Sequence, residues 1–278
     1  MKIKYRITNS FDKEQVFILE KLGIEVEVGY DNFYLYEDNI HFAEIEKLVI
    51  EWGMGSYPET EFSESDREKA VYLNISPTKI FGYPQPEDAE YEYPFDIYPY
   101  LKDVFEIAKT DLEYGVLKGK QIGGFRLKKE PNWGRSSIGS AHWISDFIFA
   151  KPEVYQEIFQ PLGIKCMPVL EYNTKKELKT VVQLVPQGIA KANLNIKQEQ
   201  INEIQEVESW GIKKYILFDN DYYPSFDSNP GDFDFFVTQE YFGSGGITNR
   251  EVIISQKLYR LLKKHKIKGL YYSPMNFK

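Results

Sequence analysis

Apolar residues recur along the chain in two spacings, and each spacing predicts one kind of element. Alternating runs predict strands at Ile3–Thr8, Ile24–Val28 and Phe125–Lys128. Helical spacing predicts helices over Lys13–Leu22 and His41–Trp52, each followed by a glycine that suits the left-handed stop of a helix. Strands and helices mixed in this order predict an α+β fold.

Shorter runs add further elements. Apolar or alternating stretches predict strands at Phe33–Tyr36, Val71–Ile75, Phe147–Phe149, Ile164–Met167, Lys179–Pro186, Tyr215–Asp219, Phe235–Val237 and Val252–Ile254. The polar stretch Ile196–Glu208 predicts a helix, and Leu101–Lys109 predicts a shorter one. Between Gly53 and Tyr100 six prolines break the pattern, and GYPQPEDAEYEYPFDIYPY predicts an extended surface connection. Such an acidic, tyrosine-rich connection is either a contact surface for a basic partner or a solvated link.

Two stretches of the second half share one order of elements. Each reads strand, Gly/Ser-rich loop with an aromatic residue, strand, helix, strand and proline, and they end at Pro168 and Pro274. The first contains a helix over Lys151–Leu162, and the second contains a helix opened by Ser255, whose hydroxyl can cap the first turn. This order predicts an internal duplication, with an N-terminal lobe over residues 1–120 and a duplicated C-terminal lobe over residues 121–278.

Composition and charge narrow the classes of function. The aromatic share is 16%, with 21 Tyr and 19 Phe, which fits either an aromatic core or a protein-binding face. The formal net charge of −8 disfavours nucleic acid as a partner and suits a basic protein. The single Cys166 excludes an internal disulfide and a multi-cysteine metal site. The N-terminus has no apolar core of a signal peptide, and no apolar run could span a bilayer, so we expect a cytoplasmic protein without membrane contact.

The second half also carries a family resemblance. The segments FRLKKEP, SDFIFAKPEVYQEIFQPLGIKCMPV and LVPQG are followed by FDFFVT and REVIISQKLYRLLKKHKIKGLYYSP, from about Gly123 to Pro274. This order resembles a bacterial family defined by a double CxxCG motif, and related immunity proteins of polymorphic toxin systems. The zinc cysteines of that family are absent, since IAKANLNIKQ follows Gly188. The resemblance implies a folded cytoplasmic binding protein that neutralises a toxin, and it supplies no catalytic residue.

The sequence offers few candidates for catalytic or metal-binding residues. The histidines His41, His142 and His265 are far apart and lack the spacing of metal ligands, although a nucleophilic pair of Cys166 with His142 stays open. The acidic residues between Asp219 and Asp234 could supply oxygen ligands to Ca²⁺ or form a solvated loop.

We therefore predict a non-enzymatic binding protein of the immunity type, without catalytic residues, metal or cofactor, and with the oligomeric state left open. Its acidic, aromatic-rich face would bind a basic toxin domain. The predicted contact residues are Trp133, His142, Trp143, Asp219, Asp221, Tyr222, Tyr223 and Asp227. The alternative is an enzyme of unknown reaction, with its site between the loops 133–143 and 219–234.

Overall fold

The computed structural model describes residues 1–82, 84, 101, 103–106, 109–111, 114–142, 144–218 and 224–275. Most of the predicted proline- and tyrosine-rich connection lies outside these residues. The chain divides into two compact units, the first formed by Met1–Asp66 with a short segment that begins at Phe218, and the second by the rest of the chain from Arg67. We use the term first unit for residues 1–66. The division thus follows residue 66, whereas the sequence predicts a boundary near residue 120. Helices and strands occur together in both units, which confirms the predicted α+β class.

The first unit is a three-stranded antiparallel sheet with two helices. Its elements are β1 (Lys2–Phe11), α1 (Lys13–Lys21), β2 (Gly29–Tyr36), α2 (Phe42–Glu51) and β3 (Gly55–Glu61). The strand order is β2-β1-β3, so β1 is central. Alternate residues of the strands, including Ile7, Phe33 and Leu35, pack with Leu19 of α1 and Ile45 of α2 in one core. Both helices therefore lie on one face of the sheet, and neither helix covers the opposite face.

Local side chains set the limits of α1. The Asp12 carboxylate accepts hydrogen bonds from the backbone N–H of Glu14 and Gln15, both at 2.9 Å, and the Gln15 side chain accepts one from the N–H of Asp12. This reciprocal capping box fixes the start of the helix. The strand predicted at Ile24–Val28 is wrong, because the N–H of Ile24 bonds back to Leu19 at the end of the helix instead of to a neighbouring strand.

The described residues of the second unit form four sheets. Its strands are β4 (Tyr72–Pro77), β5 (Lys109–Asp111), β6 (Gly115–Leu117), β7 (Arg126–Leu127), β8 (Ile138–Gly139), β9 (Phe149–Ala150), β10 (Lys165–Glu171), β11 (Glu177–Val185), β12 (Ile201–Val207), β13 (Ile212–Leu217), β14 (Phe235–Val237), β15 (Tyr241–Phe242), β16 (Val252–Ser255) and β17 (Leu270–Pro274). The sheet orders are β7-β10-β11-β9-β8, β14-β16-β4-β17, β12-β13-β15 and β5-β6.

Helical segments accompany these sheets in the described part of the chain. Helix α3 (Glu64–Lys69) precedes β4, and α5 (Gln256–Lys264) joins β16 to β17. Between β9 and β10, the helix α4 (Pro152–Val154) continues as a π-helical turn (Tyr155–Phe159) and a 3₁₀ turn (Gln160–Leu162). Gly163 follows with φ of 71°, the left-handed conformation that commonly ends a helix.

The two larger sheets share one strand order. In each, an antiparallel strand lies between the two strands that a helix connects: β11 separates β9 from β10, and β4 separates β16 from β17. An antiparallel edge strand, β8 or β14, then pairs with β9 or β16. The counterpart of β14 is therefore β8 and not the predicted β7, which pairs with β10 instead. The matched order is an observation, and the internal duplication itself stays a prediction.

Each of these sheets also continues into the other. After β4, Ile80 forms a parallel bridge with Ser140 beside β8, and after β11, Ile189 forms a parallel bridge with Val237 of β14. A single hydrophobic cluster contains buried residues from both strand-helix-strand units, among them Ile158 and Leu258. The two sheets and their helices therefore form one core.

Several predicted elements differ from the structure. The helix predicted at Ile196–Glu208 is a 3₁₀ turn (Gln198–Gln200) followed by strand β12, because these residues pair with β13 in a hairpin. Tertiary pairing here overrides the helical spacing of the apolar positions. The helix predicted at residues 101–109 lies partly outside the described residues, and within it Phe105 forms a β-bridge with Gln121.

The two prolines predicted to stop strands lie inside them. Pro168 pairs with Val182 beside a register irregularity in β10, and Pro274 pairs with Leu73 in the edge strand β17. Proline lacks a backbone donor, so edge strands and irregular positions are where a sheet tolerates it.

We predict that Ser255→Ala lowers the free energy of unfolding by about 1 kcal/mol. The Ser255 hydroxyl accepts a hydrogen bond from the N–H of Leu258 at 3.1 Å and donates one to Asp234. Urea unfolding measures the loss. Ser244→Ala, in an exposed turn, is the control and should leave stability unchanged. An equal effect of both substitutions would contradict the capping role.

Candidate functional site

Trp133, one of the predicted contact residues, is a core residue. It is 7% exposed, and its indole Nε1 donates to the carbonyl of Thr180 at 2.9 Å. The ring of Phe81 meets it edge-on, with 4.8 Å between ring centroids. A side chain held in this way stabilises the fold and presents no surface to a partner.

The other described members of the predicted site lie on two exposed loops. The backbone N–H of His142 donates to Gly82, and that of Asp227 donates to Asn193, each at 2.9 Å. These backbone contacts do not join the two loops into one site. The remaining predicted contacts, Trp143, Asp219, Asp221, Tyr222 and Tyr223, lie outside the described residues.

Negative charge is concentrated in the first unit. Residues 1–66 contain 15 acidic and 6 basic side chains, a formal charge of −9. The rest of the chain contains 27 acidic and 28 basic residues, a formal charge of +1. The net charge of the protein is therefore a property of the first unit.

The sheet face opposite α1 and α2 is the strongest candidate surface, and we call it the open face. Lys2, Lys4 and Arg6 form a basic column along β1, since residues two apart share one face of a strand. On β2, Tyr36 lies opposite Lys4 and Tyr34 opposite Arg6. On β3, Glu61, Glu59 and Tyr57 lie opposite Lys2, Lys4 and Arg6 respectively.

The cations of the central column lie over the flanking tyrosine rings. The Lys4 ammonium is 4.6 Å from the ring centroid of Tyr34, and the Arg6 guanidinium is 5.1 Å from that of Tyr57. Each such contact is worth about 0.5–1 kcal/mol at an exposed site. The rings are thereby held in position while 47% of Tyr34 and 51% of Tyr57 remain exposed.

Carboxylates complete the open face. Glu59 pairs with Lys4 at 3.4 Å and lies 3.7 Å from the Arg6 Nε, and Lys2 pairs with Asp38 at 2.8 Å. The Tyr36 hydroxyl donates to Glu61 at 3.0 Å, and this hydrogen bond raises the pKa of Tyr36, which keeps the phenol neutral at physiological pH. Exposed ion pairs contribute only about 0–1 kcal/mol, so these pairs can be exchanged for contacts with a partner.

Exposed apolar side chains are also concentrated in the first unit. Of the sixteen large hydrophobic side chains that are exposed in the described parts of the chain, residues 1–66 hold eight: Met1, Phe17, Val28, Tyr30, Tyr34, Ile40, Ile50 and Tyr57. Half of the total thus falls in less than a quarter of the sequence.

Sequence reasoning missed the open face for a physical reason. The alternation of Lys2, Lys4 and Arg6 is visible in the sequence, but β3 was not predicted, and the pairing register of three strands cannot be read from one chain. Register alone brings Arg6 between Tyr34 and Tyr57.

A buried polar cluster in the second unit is a further place where chemistry could occur. The Lys118 ammonium donates to both Asp146 oxygens, at 2.7 and 2.9 Å, and to the Asn249 amide oxygen at 2.5 Å. The Asn249 amide nitrogen donates to the Ser145 hydroxyl at 2.9 Å. Burial raises the pKa of the Asp146 carboxyl, although the ammonium of Lys118 opposes that shift. All three ammonium hydrogens have acceptors, so the cluster is organised as an internal ion pair.

A groove of about 460 Å³ opens on another side of the second unit. It is lined by residues from Asn193–Ile196, Ile201–Ile204, Ile212–Tyr215 and Gln239–Tyr241. Among the described residues, none that lines this groove comes from the loops 133–143 and 219–234, where the enzymatic alternative places its site.

No protein-family model matches the chain, and no curated protein matches its sequence. Among the described residues, no cluster of three or more His, Cys, Asp and Glu side chains is arranged to hold a metal ion. The helices in the described part of the chain are too short or too polar to cross a membrane. The resemblance to the double CxxCG family stays a prediction.

Substitutions on the two faces of β1 should lower the stability of the first unit by different amounts. Ile7→Ala should lower the stability of the first unit by about 2–5 kcal/mol, because Ile7 is 1% exposed in the core. Lys4→Gln, on the open face, removes one exposed cation–π contact and one exposed ion pair and should lower it by only about 1 kcal/mol. Hydrogen exchange of the β1 amides measures both. A large loss with Lys4→Gln would mean that the open face is needed for folding.

We predict that Lys118→Met lowers the free energy of unfolding by about 3–5 kcal/mol at neutral pH, because it leaves the Asp146 carboxylate buried and unpaired. The pKa of the Asp146 carboxyl is higher in the folded state than its ordinary value, so folding favours the protonated carboxyl. The free energy of unfolding therefore falls as the pH rises from the ordinary pKa to the folded-state pKa. The deficit should therefore shrink as the pH is lowered toward about 4.

Urea unfolding at several pH values measures this deficit. The double variant Lys118→Met with Asp146→Asn is the matched control and should recover part of the loss. A deficit that is the same at every pH would show that lost packing, and not the unpaired carboxylate, is its cause.

Proposed function

We propose that this protein is a binding protein of the immunity type, which acts in the cytoplasm by occluding a basic toxin domain with its first unit. One observation carries the proposal: the open face presents Tyr34, Tyr57 and Arg6 in a unit of charge −9. The resemblance to immunity proteins of polymorphic toxin systems agrees with it. The toxin is the partner that this resemblance implies.

The residue types of the open face are those that dominate binding energy at protein interfaces. Tyrosine and arginine are enriched among the residues whose truncation costs the most affinity. A tyrosine loses little conformational freedom on binding, and here the cations below the rings restrict that freedom beforehand. The open face is therefore suited to serve as the centre of an interface.

The size of the open face limits its role to that centre. Three strands of about eight residues cover on the order of 25 by 15 Å. A standard interface buries about 800 Å² on each partner, roughly twice this area. The rim must come from neighbouring residues, and Tyr30, which is 81% exposed at the start of β2, is one of them.

Charge favours a basic partner. The exposed carboxylates of the helices, such as Glu14 and Glu20 on α1 and Glu44, Glu46 and Glu51 on α2, lie away from the open face but add to the field of the unit. A field of this sign accelerates the approach of a positively charged protein, and salt screens it.

The buried Lys118 cluster does not favour the enzymatic alternative. Its ammonium is fully occupied by Asp146 and Asn249, so it has no free position for a substrate. A binding function accounts for the exposed tyrosines, which a catalytic role leaves unexplained.

The proposal requires that a gene near this one encodes a toxin, and the test uses that toxin. The chain should protect cells that express the toxin, and the purified proteins should bind each other. Tyr34→Ala combined with Tyr57→Ala should weaken the affinity at least about tenfold, while the protein stays folded. Isothermal titration calorimetry measures the affinity.

Tyr271→Ala is the matched control, because Tyr271 is a 45% exposed strand tyrosine of the second unit. The association rate constant should also fall about tenfold when salt is raised from about 0.05 to about 0.5 M. The proposal fails if the toxin does not bind, or if the control weakens binding as much as the double variant does.

A further inference from the structure

Strand β2 is an edge strand of the first unit, and it pairs only with β1 among the described residues. It is eight residues long and contains no proline. Two of its side chains, Tyr30 and Tyr34, are 81% and 47% exposed. The unpaired backbone groups of a long, exposed edge strand are a template for a strand of another chain.

The register of the sheet shows which backbone groups of β2 point away from β1. On the other side of β1, Tyr5 lies opposite Pro58, which has no N–H to donate. The N–H and C=O of Tyr5 therefore point toward β2, where Tyr5 lies opposite Leu35. Consistent with this direction, the N–H of Glu37 donates to the carbonyl of Ile3, two residues before Tyr5, at 3.2 Å.

Because backbone groups alternate in direction along a strand, those of Asn32, Tyr34 and Tyr36 point to the outer edge. Two of these groups have partners. The N–H of Asn32 donates to the Asp31 carboxylate at 2.8 Å, and the carbonyl of Tyr36 accepts from the N–H of Asn39 at 3.0 Å. Among the described residues, the carbonyl of Asn32, both groups of Tyr34 and the N–H of Tyr36 have no hydrogen-bond partner.

The other edge of the sheet is less suited to pairing. By the same alternation, Pro58 lies at an outward-pointing position of β3, so the middle of that edge lacks a donor. Proline on an edge strand is one of the features that prevent pairing with another chain. The two edges therefore differ, and β2 is the one that can accept a further strand.

Charge determines which kind of strand fits beside β2. Residues 23–40, which contain β2 and its flanks, include no lysine or arginine and five acidic residues: Glu25, Glu27, Asp31, Glu37 and Asp38. Pairing of β2 with the β2 of a second copy would bring two such segments together, and like charges on adjacent strands repel. A positively charged strand is attracted instead.

We propose that an extended, positively charged strand of the partner protein pairs with the outer edge of β2 and extends the sheet to four strands. It bonds to the free backbone groups between Asn32 and Tyr36, and its alternate side chains lie beside Tyr34 and Tyr36 on the open face. The identity of the partner rests on the proposed function, whereas the pairing site rests on the register of the sheet.

The first test uses a defined peptide and the unaltered full-length protein. A heptapeptide of alternating lysine and valine should shift the amide resonances of Tyr34 and Tyr36 and bind with a Kd of about 1 mM. The same peptide with every backbone nitrogen methylated keeps its charges but cannot donate, and it should bind at least about tenfold more weakly. A glutamate–valine peptide should also bind at least about tenfold more weakly.

Equal binding of the methylated peptide would overturn the proposal, because the contact would then not be strand pairing. Shifts confined to residues outside β2, or no binding of the lysine peptide, would overturn it as well. Sedimentation of the protein alone should show no dimer. A dimer whose formation slows hydrogen exchange of the Tyr34 amide would make a second copy, and not a basic partner, the occupant of this edge.

The second test measures hydrogen exchange in the complex with the toxin. The amides of Tyr34 and Tyr36 should exchange at least about tenfold more slowly than in the free protein. The amide of Ser56, at an outward-pointing position of β3, is the matched control and should be unaffected. Unchanged exchange at Tyr34 and Tyr36 in a complex that does form would contradict strand pairing and leave the proposed function intact. A toxin that does not bind would contradict the proposed function, and the peptide would then decide the pairing site alone.

Discussion

The shared hydrophobic core of the second unit is the constraint on which its other features depend. Residues of the irregular helix, such as Ile158 and Phe159, belong to the same buried cluster as Leu258 and Tyr259 of α5. Each strand-helix-strand unit therefore buries its helix partly against the other. Because β4 and β11 also extend into the opposite sheet, neither half is complete without the other.

The buried ion pair of Lys118 and Asp146 restricts how the two strand-helix-strand segments pack against each other in their shared core. Ser145 and Asp146 precede β9, and Asn249 precedes β16. The cluster therefore joins the loops that lead into the two strand-helix-strand segments of the second unit. Hydrophobic contacts alone tolerate several arrangements, whereas a buried ammonium with three acceptors tolerates few. The part of the chain after residue 66 has a formal charge of +1, and residues 1–66 have a formal charge of −9.

The sequence predicts best those features that neighbouring residues decide. The cap at Ser255 and the stop at Gly23 depend on a side chain or on backbone freedom within one turn, so neighbouring residues in the sequence locate them. Features that depend on distant partners were missed. The apolar spacing of Ile201, Ile204 and Val207 suits a helix, and only pairing with β13 makes these residues a strand. The candidate site belongs to this second class.

In the proposed interface on the open face, the charges that would attract a partner and the side chains that would anchor it are different residues. The ion pairs of Glu59 with Lys4 and of Asp38 with Lys2 nearly neutralise the face itself, whereas the exposed carboxylates of α1 and α2 produce the field. Salt acts on the field more than on tyrosine packing, because long-range interactions are screened and close contacts are not. In such an interface, charge increases the association rate constant, and packing of the Tyr34 and Tyr57 rings lowers the dissociation rate constant. Its dissociation rate should then depend on salt much less than its association rate.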